Sequence, residues 1–346
     1  MNERAKRPTI RDVASAAGVS VATVNRVLGG SGTVSPGTLQ RVQAAAATIG
    51  FYGFGAIQRR VAAARPKLKL GFLLLQPHRV YYREIASAMR AAAAAHPDCE
   101  VETRIEFLED LSPQSVALRM LELGETCAAV AVVAAMHPLV IRAVETLQER
   151  QIPVFALISP LSAAGQVPYV GLDNWKVGRT AAWATEHFCR TPGKLGILVG
   201  NHRYQCQEQN ESGFRSYFRE HAPGFTLLEP LSTFEESSVA EEMTEKLLRE
   251  HPDLAGLFVS GGGITGAMRA VRSMGHAGRL FVVGHQLMDV TRQGLLDGAT
   301  SFIMSMPMSR FATETIAGMI RAARASTPGA AYNTVLPFEI YTRENI

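Results

Sequence analysis

The residue types most suited to specific chemistry lie close together near the start of the chain. Ser20, Thr23, Asn25 and Arg26 fall within seven residues, with Val21 and Ala22 between them. Serine and threonine hydroxyls suit phosphate oxygens, and a planar arginine fork matches guanine O6 and N7, worth roughly 1–3 kcal/mol of base discrimination. Val21 and Ala22 offer only apolar contact, for instance with a thymine methyl. A second set of candidates follows short apolar runs further along. Tyr81 and Tyr82, Trp175, Arg203 with Glu208, and His285 with Gln286 lie near where such runs end. Open parallel sheets hold ligands at the carboxyl ends of their strands, and aromatic rings there can stack on a sugar or simply fill a core. Gly261-Gly262-Gly263 before a predicted helix either presents backbone N–H groups to an anion or makes a plain tight turn.

These groups need elements to hold them. Ile10, Val13, Ala14 and Ala17 recur at helical spacing, and Gly18 follows where a helix ends in a left-handed residue. Ser20 is a good N-cap for a second helix carrying Val21, Val24, Val27 and Leu28. A third helix is expected from Ser35-Pro36, with serine as cap, proline in the first turn and Val34 stapled against Leu39. It stops near Gly50. Two short helices joined by a glycine turn have the form of a helix-turn-helix, whose second helix enters the major groove. Residues 51–67 read as a hinge or linker that becomes basic and ends in Arg65-Pro66-Lys67.

Beyond residue 68 the texture changes. Apolar runs at Leu70–Leu75, Val101–Phe107, Ala129–Ala134, Val154–Ile158, Leu195–Val199, Gly256–Val259, Phe281–Gly284 and Thr300–Met304 alternate with helical stretches. That rhythm predicts parallel sheets covered by helices on both faces. Some 280 residues exceed one sheet, so two lobes are expected over 68–346. A late strand, Val335–Tyr341, is expected to close the structure.

Charge follows the same division. Residues 1–67 carry +8 and the remainder −4, which suggests a head that meets a polyanion. The four cysteines, at 99, 127, 189 and 206, form no CxxC pair, so neither a metal cluster nor a disulfide framework is expected. Charged residues follow Met1 where a signal peptide would be apolar, and the run Cys127–Met136 is too short to cross a bilayer. A cytoplasmic protein without membrane association or cofactor is the expectation.

The run Thr9-Ile10-Arg11-Asp12-Val13-Ala14-Ser15-Ala16-Ala17-Gly18-Val19-Ser20-Val21-Ala22-Thr23-Val24-Asn25-Arg26-Val27-Leu28 resembles the signature of the lactose-repressor (LacI/GalR) family. The likeness continues through Val34-Ser35-Pro36-Gly37-Thr38 and Arg41-Val42 to Phe51-Tyr52. It implies a fold of class α/β, with a three-helix helix-turn-helix head and a two-lobed sensor like periplasmic binding proteins. It also implies a transcription regulator, expected to be a repressor, that binds a palindromic DNA operator as a homodimer and responds to a small effector, a sugar or polyol.

Carried over by position, Val21 and Ala22 select the operator and Arg26 reads a base. Ser20, Thr23, Thr33, Ser35 and Thr38 hold the DNA backbone, and Thr9 and Arg11 lie near phosphate; Asn25 replaces a more usual serine. Members of the family wedge a hinge residue into the minor groove. Here the gapless register places Arg60 there, a one-residue shift places Val61, and Ile57 is a third candidate. In the sensor, Glu208 stands where many relatives have an arginine. Gly261-Gly262 and His285-Gln286 stand where effector-binding acids are usual. This favours a polyol, or a ligand with donors or positive charge, over an anionic or simple-hexose effector. No C-terminal leucine heptad follows, so a dimer is expected.

The rival reading is an α/β enzyme acting on a sugar or nucleotide, or a sugar-binding protein with a non-specific basic head. The sequence contains no GxSxG nucleophile elbow, no Walker loop and no HExxH zinc motif, and no GxGxxG dinucleotide fingerprint is expected after a strand.

Overall fold

The computed structural model describes residues 7–30, 34–189, 191–325 and 333–346. Cα packing divides them into two compact units. One comprises the described residues up to 68 with 96–102, and the other the described residues of 69–95 and from 103 onward.

The smaller unit is built on four helices: α1 (Ile10–Ala17), α2 (Val21–Gly29), α3 (Pro36–Thr48) and α4 (Phe54–Ala63). The Asp12 carboxylate accepts from both the backbone N–H and the hydroxyl of Thr9 at 2.7 Å, fixing the start of α1. Gly18 ends that helix at φ 61°, a left-handed conformation that glycine adopts without steric cost. Ser20 Oγ then accepts from Thr23 N–H at 3.2 Å, and Ser35 Oγ from Thr38 N–H at 3.3 Å. The apolar stripes of the helices meet in one core of Val13, Val24, Val27, Leu39, Val42 and Phe51, all buried. Ile57 of α4 is a full member of that core at 0% exposure.

The larger unit has two lobes, each a twisted sheet between helices. The first lobe runs β1 (Lys67–Leu75), α5 (Val80–Ala95), β2 (Glu100–Leu108), α6 (Pro113–Gly124), β3 (Ala129–Val132), α7 (Pro138–Glu149), β4 (Val154–Leu157) and β5 (Tyr169–Leu172). The chain then crosses over. The second lobe runs α8 (Asn174–Phe188), β6 (Lys194–Val199), α9 (Gln205–His221), β7 (Thr226–Leu227), β8 (Leu231–Ser232), α10 (Ser237–Glu250), β9 (Leu254–Val259), α11 (Ile264–Ser273), β10 (Phe281–His285), α12 (Asp289–Asp297) and β11 (Phe302–Ser305). Next, α13 (Met308–Arg324) returns to pack on α5 of the first lobe. β12 (Thr334–Leu336) pairs in parallel with β5, and β13 (Glu339–Tyr341) pairs antiparallel to β11.

Strand order is β12-β5-β4-β3-β1-β2 in one sheet and β13-β11-β10-β9-β6-β7 in the other, where β8 also pairs with β6. Central strands such as Ala129–Val132 are buried on both faces, which is why they read as continuous apolar runs. The expected strand Val335–Tyr341 is corrected: it breaks at Pro337-Phe338, and its halves join different sheets. Proline lacks the N–H that a continuous ladder would use there. This makes a third crossing between the lobes, after those into α8 and α13.

Candidate functional site

On α2 the face opposite the core is open. Ser20, Val21, Ala22, Asn25 and Arg26 are exposed and Thr23 is half-buried, with Ser20 Oγ and Thr23 Oγ1 2.9 Å apart. Thr9, Arg11 and Ser35 are exposed and Thr38 is half-buried. Thr33 lies outside the described residues. Val21, 39% exposed, is a large apolar side chain held out by the same helix whose Val24 and Val27 are buried.

The three hinge candidates are placed differently from expectation. Ile57 lies inside the head core and is corrected from wedge to core residue, because Phe54, Ile57 and Val61 share the face of α4 that packs inward, beside Phe51. Val61 is half-buried against that core. Arg60 reaches the C-terminal end of α2, its Nη1 3.9 Å from where a Cβ on Gly30 would begin. A cation there meets the negative end of the helix dipole.

In the larger unit, the strand ends of the two lobes face a cavity of about 480 Å³. Across it, Arg79 Nη1 donates to Glu235 Oε2 at 2.8 Å, joining the residues after β1 in one lobe to the residues after β8 in the other. Gln207 Nε2 donates to Glu235 Oε1 at 2.6 Å, while Gln207 Oε1 accepts from the N–H groups of Gly200 and Asn201. Glu235 is turned inward by two successive left-handed residues, Phe234 at φ 52° and Glu235 itself at φ 65°. Ile158 and Gln286, directly after β4 and β10, also have positive φ, at 67° and 63°. Such residues cost on the order of 1–3 kcal/mol each and collect at functional sites.

The glycine run explains itself here. A Cβ on Gly262 would lie 2.2 Å from Glu235 Oε2 and 2.5 Å from Arg79 Nη2, and one on Gly261 would lie 2.4 Å from Gln207 Oε1. Gly261-Gly262-Gly263-Ile264-Thr265-Gly266, following β9, fits the G-x-G-x-x-G spacing of dinucleotide loops, which corrects the expectation that no such fingerprint follows a strand. Its third glycine serves packing, since a Cβ on Gly266 would meet the Ser237 carbonyl oxygen at 1.8 Å. Glu235, a carboxylate of the chain itself, occupies the space before the run.

Of the sequence candidates, Tyr81, Tyr82, His285 and Gln286 line the cavity. Burial pushes both tyrosine hydroxyls above their ordinary range, so they stay neutral donors. The Arg79 guanidinium lies 5.4 Å from the centroid of the Tyr82 ring. Burial lowers the His285 pKa to about 4, and its Nε2 has no hydrogen-bond partner among the described residues. Three candidates are corrected. Trp175, Arg203 and Glu208 are exposed and do not line the cavity. Trp175 lies in the first turn of α8, where Asp173 caps Lys176 N–H at 3.1 Å, and its indole is 43% exposed. Arg203 contributes its backbone instead, accepting from Met136 N–H at 2.8 Å across the lobes. Asn174, Gln207, Asn210 and Glu235, which sequence reasoning missed, line the cavity in their place. The strand-end rule led to Gly200–Tyr204, but the inward-facing residues sit further on, in the first turns of α9.

Residues 9–53 match the family of bacterial regulatory proteins, lacI family, and residues 76–326 match the periplasmic binding protein domain. This chain belongs to the lacI family of regulators. Its head is a DNA-binding domain, and the protein is a DNA-binding transcription regulator. Over 252 residues, 72% of each chain, this lacI-family member is 27% identical to the sucrose operon repressor of Streptococcus mutans serotype c. Over 93 residues, 26% of each chain, it is 38% identical to the maltose regulon regulatory protein MalI of Escherichia coli. Its fold is also that of GanP, a glucose-galactose binding protein from Geobacillus stearothermophilus, with a TM-score of 0.72 at 15% identity over 80% of this chain and 99% of that one. Among the described residues, no helix of the lacI-family chain is long and apolar enough to cross a membrane.

Proposed function

We propose that this protein is a repressor that reads a palindromic operator as a homodimer and adjusts its operator affinity to a sugar or polyol held between the lobes. The observation that carries this reading is the exposed face of α2, in a chain aligned over most of its length with a sucrose operon repressor. In this reading residues 1–50 bind DNA, 51–67 are the hinge, and 68–346 bind effector and form the dimer. Val21, Ala22 and Arg26 meet base edges, while Thr9, Arg11, Ser20, Thr23, Asn25, Ser35 and Thr38 position the DNA backbone. Tyr81, Tyr82, His285 and Gln286 meet the effector.

The protein binds its small molecule and does not transform it. Glu235 is already satisfied by Arg79 and Gln207, which leaves this buried cleft carboxylate committed to structure and not to proton transfer. Effector and operator affinities are linked by a coupling on the order of 1–3 kcal/mol, or roughly 5- to 150-fold. The test is to titrate a selected operator duplex with full-length protein in the presence of monosaccharides and polyols. At least one shifts operator affinity within that range. If none shifts it, the effector reading is wrong.

A further inference from the structure

The cleft has two walls of different chemistry. On one, Arg79, Glu235 and Gln207 satisfy one another against Gly261 and Gly262. On the other, Met304 and Met306 stand at the end of β11, beside Met288, Val290 and Ile264. Main-chain bonds knit this second wall together: Gln286 N–H donates to the Met304 carbonyl at 2.8 Å, and His285 pairs with Met304 across β10 and β11. Within the cavity lining, His285 Nε2 and Asn210 Oδ1 are buried polar atoms without a hydrogen-bond partner among the described residues.

We propose that this cleft takes a neutral deoxy sugar, whose ring hydroxyls pair with Asn210 Oδ1 and His285 Nε2 and whose methyl group rests on the methionine wall. The inference builds on the sugar-effector reading above and narrows it. Among the described lining residues Arg79 is the one permanently charged cation and Glu235 neutralises it, while the exposed Glu236 adds a further carboxylate to the lining. A sugar acid would therefore bring an uncompensated negative charge into a site that already carries an excess of carboxylate. A hydroxymethyl group against Met304 and Met306 would bury a hydroxyl beside thioether sulfurs, which are weak acceptors. The unbranched methionine side chains instead adapt to a methyl group. Leaving one buried hydroxyl unpaired costs roughly tenfold to a hundredfold in affinity.

The test is calorimetric titration of full-length protein with matched pairs that differ only at the exocyclic carbon: D-galactose and D-fucose, L-galactose and L-fucose, L-mannose and L-rhamnose. D-Galacturonate is the charged control. In the pair that binds, the deoxy sugar binds at least roughly tenfold more tightly than its parent, and D-galacturonate binds more weakly than both. Met306→Gln, shown to be folded by its retained operator binding, narrows or inverts that preference. Equal or tighter binding of the parent sugar, or of a charged one, overturns the deoxy-sugar proposal and leaves the sugar-effector reading standing. Binding of none of these, with operator affinity unmoved by any sugar or polyol, overturns both.

Discussion

Arg79 and Glu235 approach to 2.8 Å from opposite lobes, with 20% and 6% of their side chains exposed. The pair joins two chain segments that lie more than 150 residues apart, and Gln207 completes it from the first turn of α9. Burying two charges is repaid only when their geometry is good and the remaining valences are met, as they are for Glu235, whose second oxygen accepts from Gln207. The pair therefore acts as a clasp across the cleft as well as a neutral floor for a ligand.

Removing one partner leaves a buried charge uncompensated. Arg79→Met or Glu235→Met destabilises the larger unit by on the order of 3–5 kcal/mol, nearer the lower figure because Arg79 keeps some contact with water. The double replacement costs less than the sum of the two. Thermal unfolding of the four proteins measures this, and additive losses would show that the pair is not coupled. Gly262→Ala disturbs the same pair without touching either charge, because its Cβ would enter the space of both groups.

Much of the head was legible in the sequence, since capping, glycine termination and helical periodicity all act locally. Ser20, Ser35 and Gly18 do what their types predict. The cleft was less legible because its residues come together through three crossings between lobes. Glu235 faces inward through two left-handed residues with no glycine to signal them. Gln207 and Asn210 lie on one face of α9, one turn beyond the strand end, while Glu208 between them points to solvent. A strand-end rule stops one turn too early. Pro337 was a visible sign that the late strand is broken, yet which sheet each half joins depends on the whole topology.

Ile57 tests the head directly. Ile57→Ala opens a cavity in the head core and costs roughly 2–5 kcal/mol, whereas Val61→Ala, at a half-buried position, costs less. Hydrogen exchange of the head amides in the full-length protein without DNA shows the loss. Unchanged protection in Ile57→Ala would mean that this side chain is free in the unbound state, as a wedge would be.

His285 sets a pH dependence. Its folded pKa, lowered to about 4 by burial, lies below the ordinary histidine value of 6.5. Between those values the unfolded chain binds the proton and the folded one does not, so stability falls as pH drops from about 6.5 towards 4, at up to about 1.4 kcal/mol per pH unit. Below that window this contribution stays flat. His285→Gln removes this part of the slope in denaturant unfolding measured across pH 4–7. An identical slope in the variant would assign the effect to other groups.

The central claim is that α2 reads DNA sequence through its exposed face, and selection of bound duplexes from a random pool tests it most directly. Full-length protein should enrich a palindrome, and Arg26→Ala should lose specificity at one symmetric pair of positions, by roughly 1–3 kcal/mol per contact. Failure of the full-length protein to enrich any sequence, or enrichment of the same palindrome with undiminished preference by Arg26→Ala, would contradict the account.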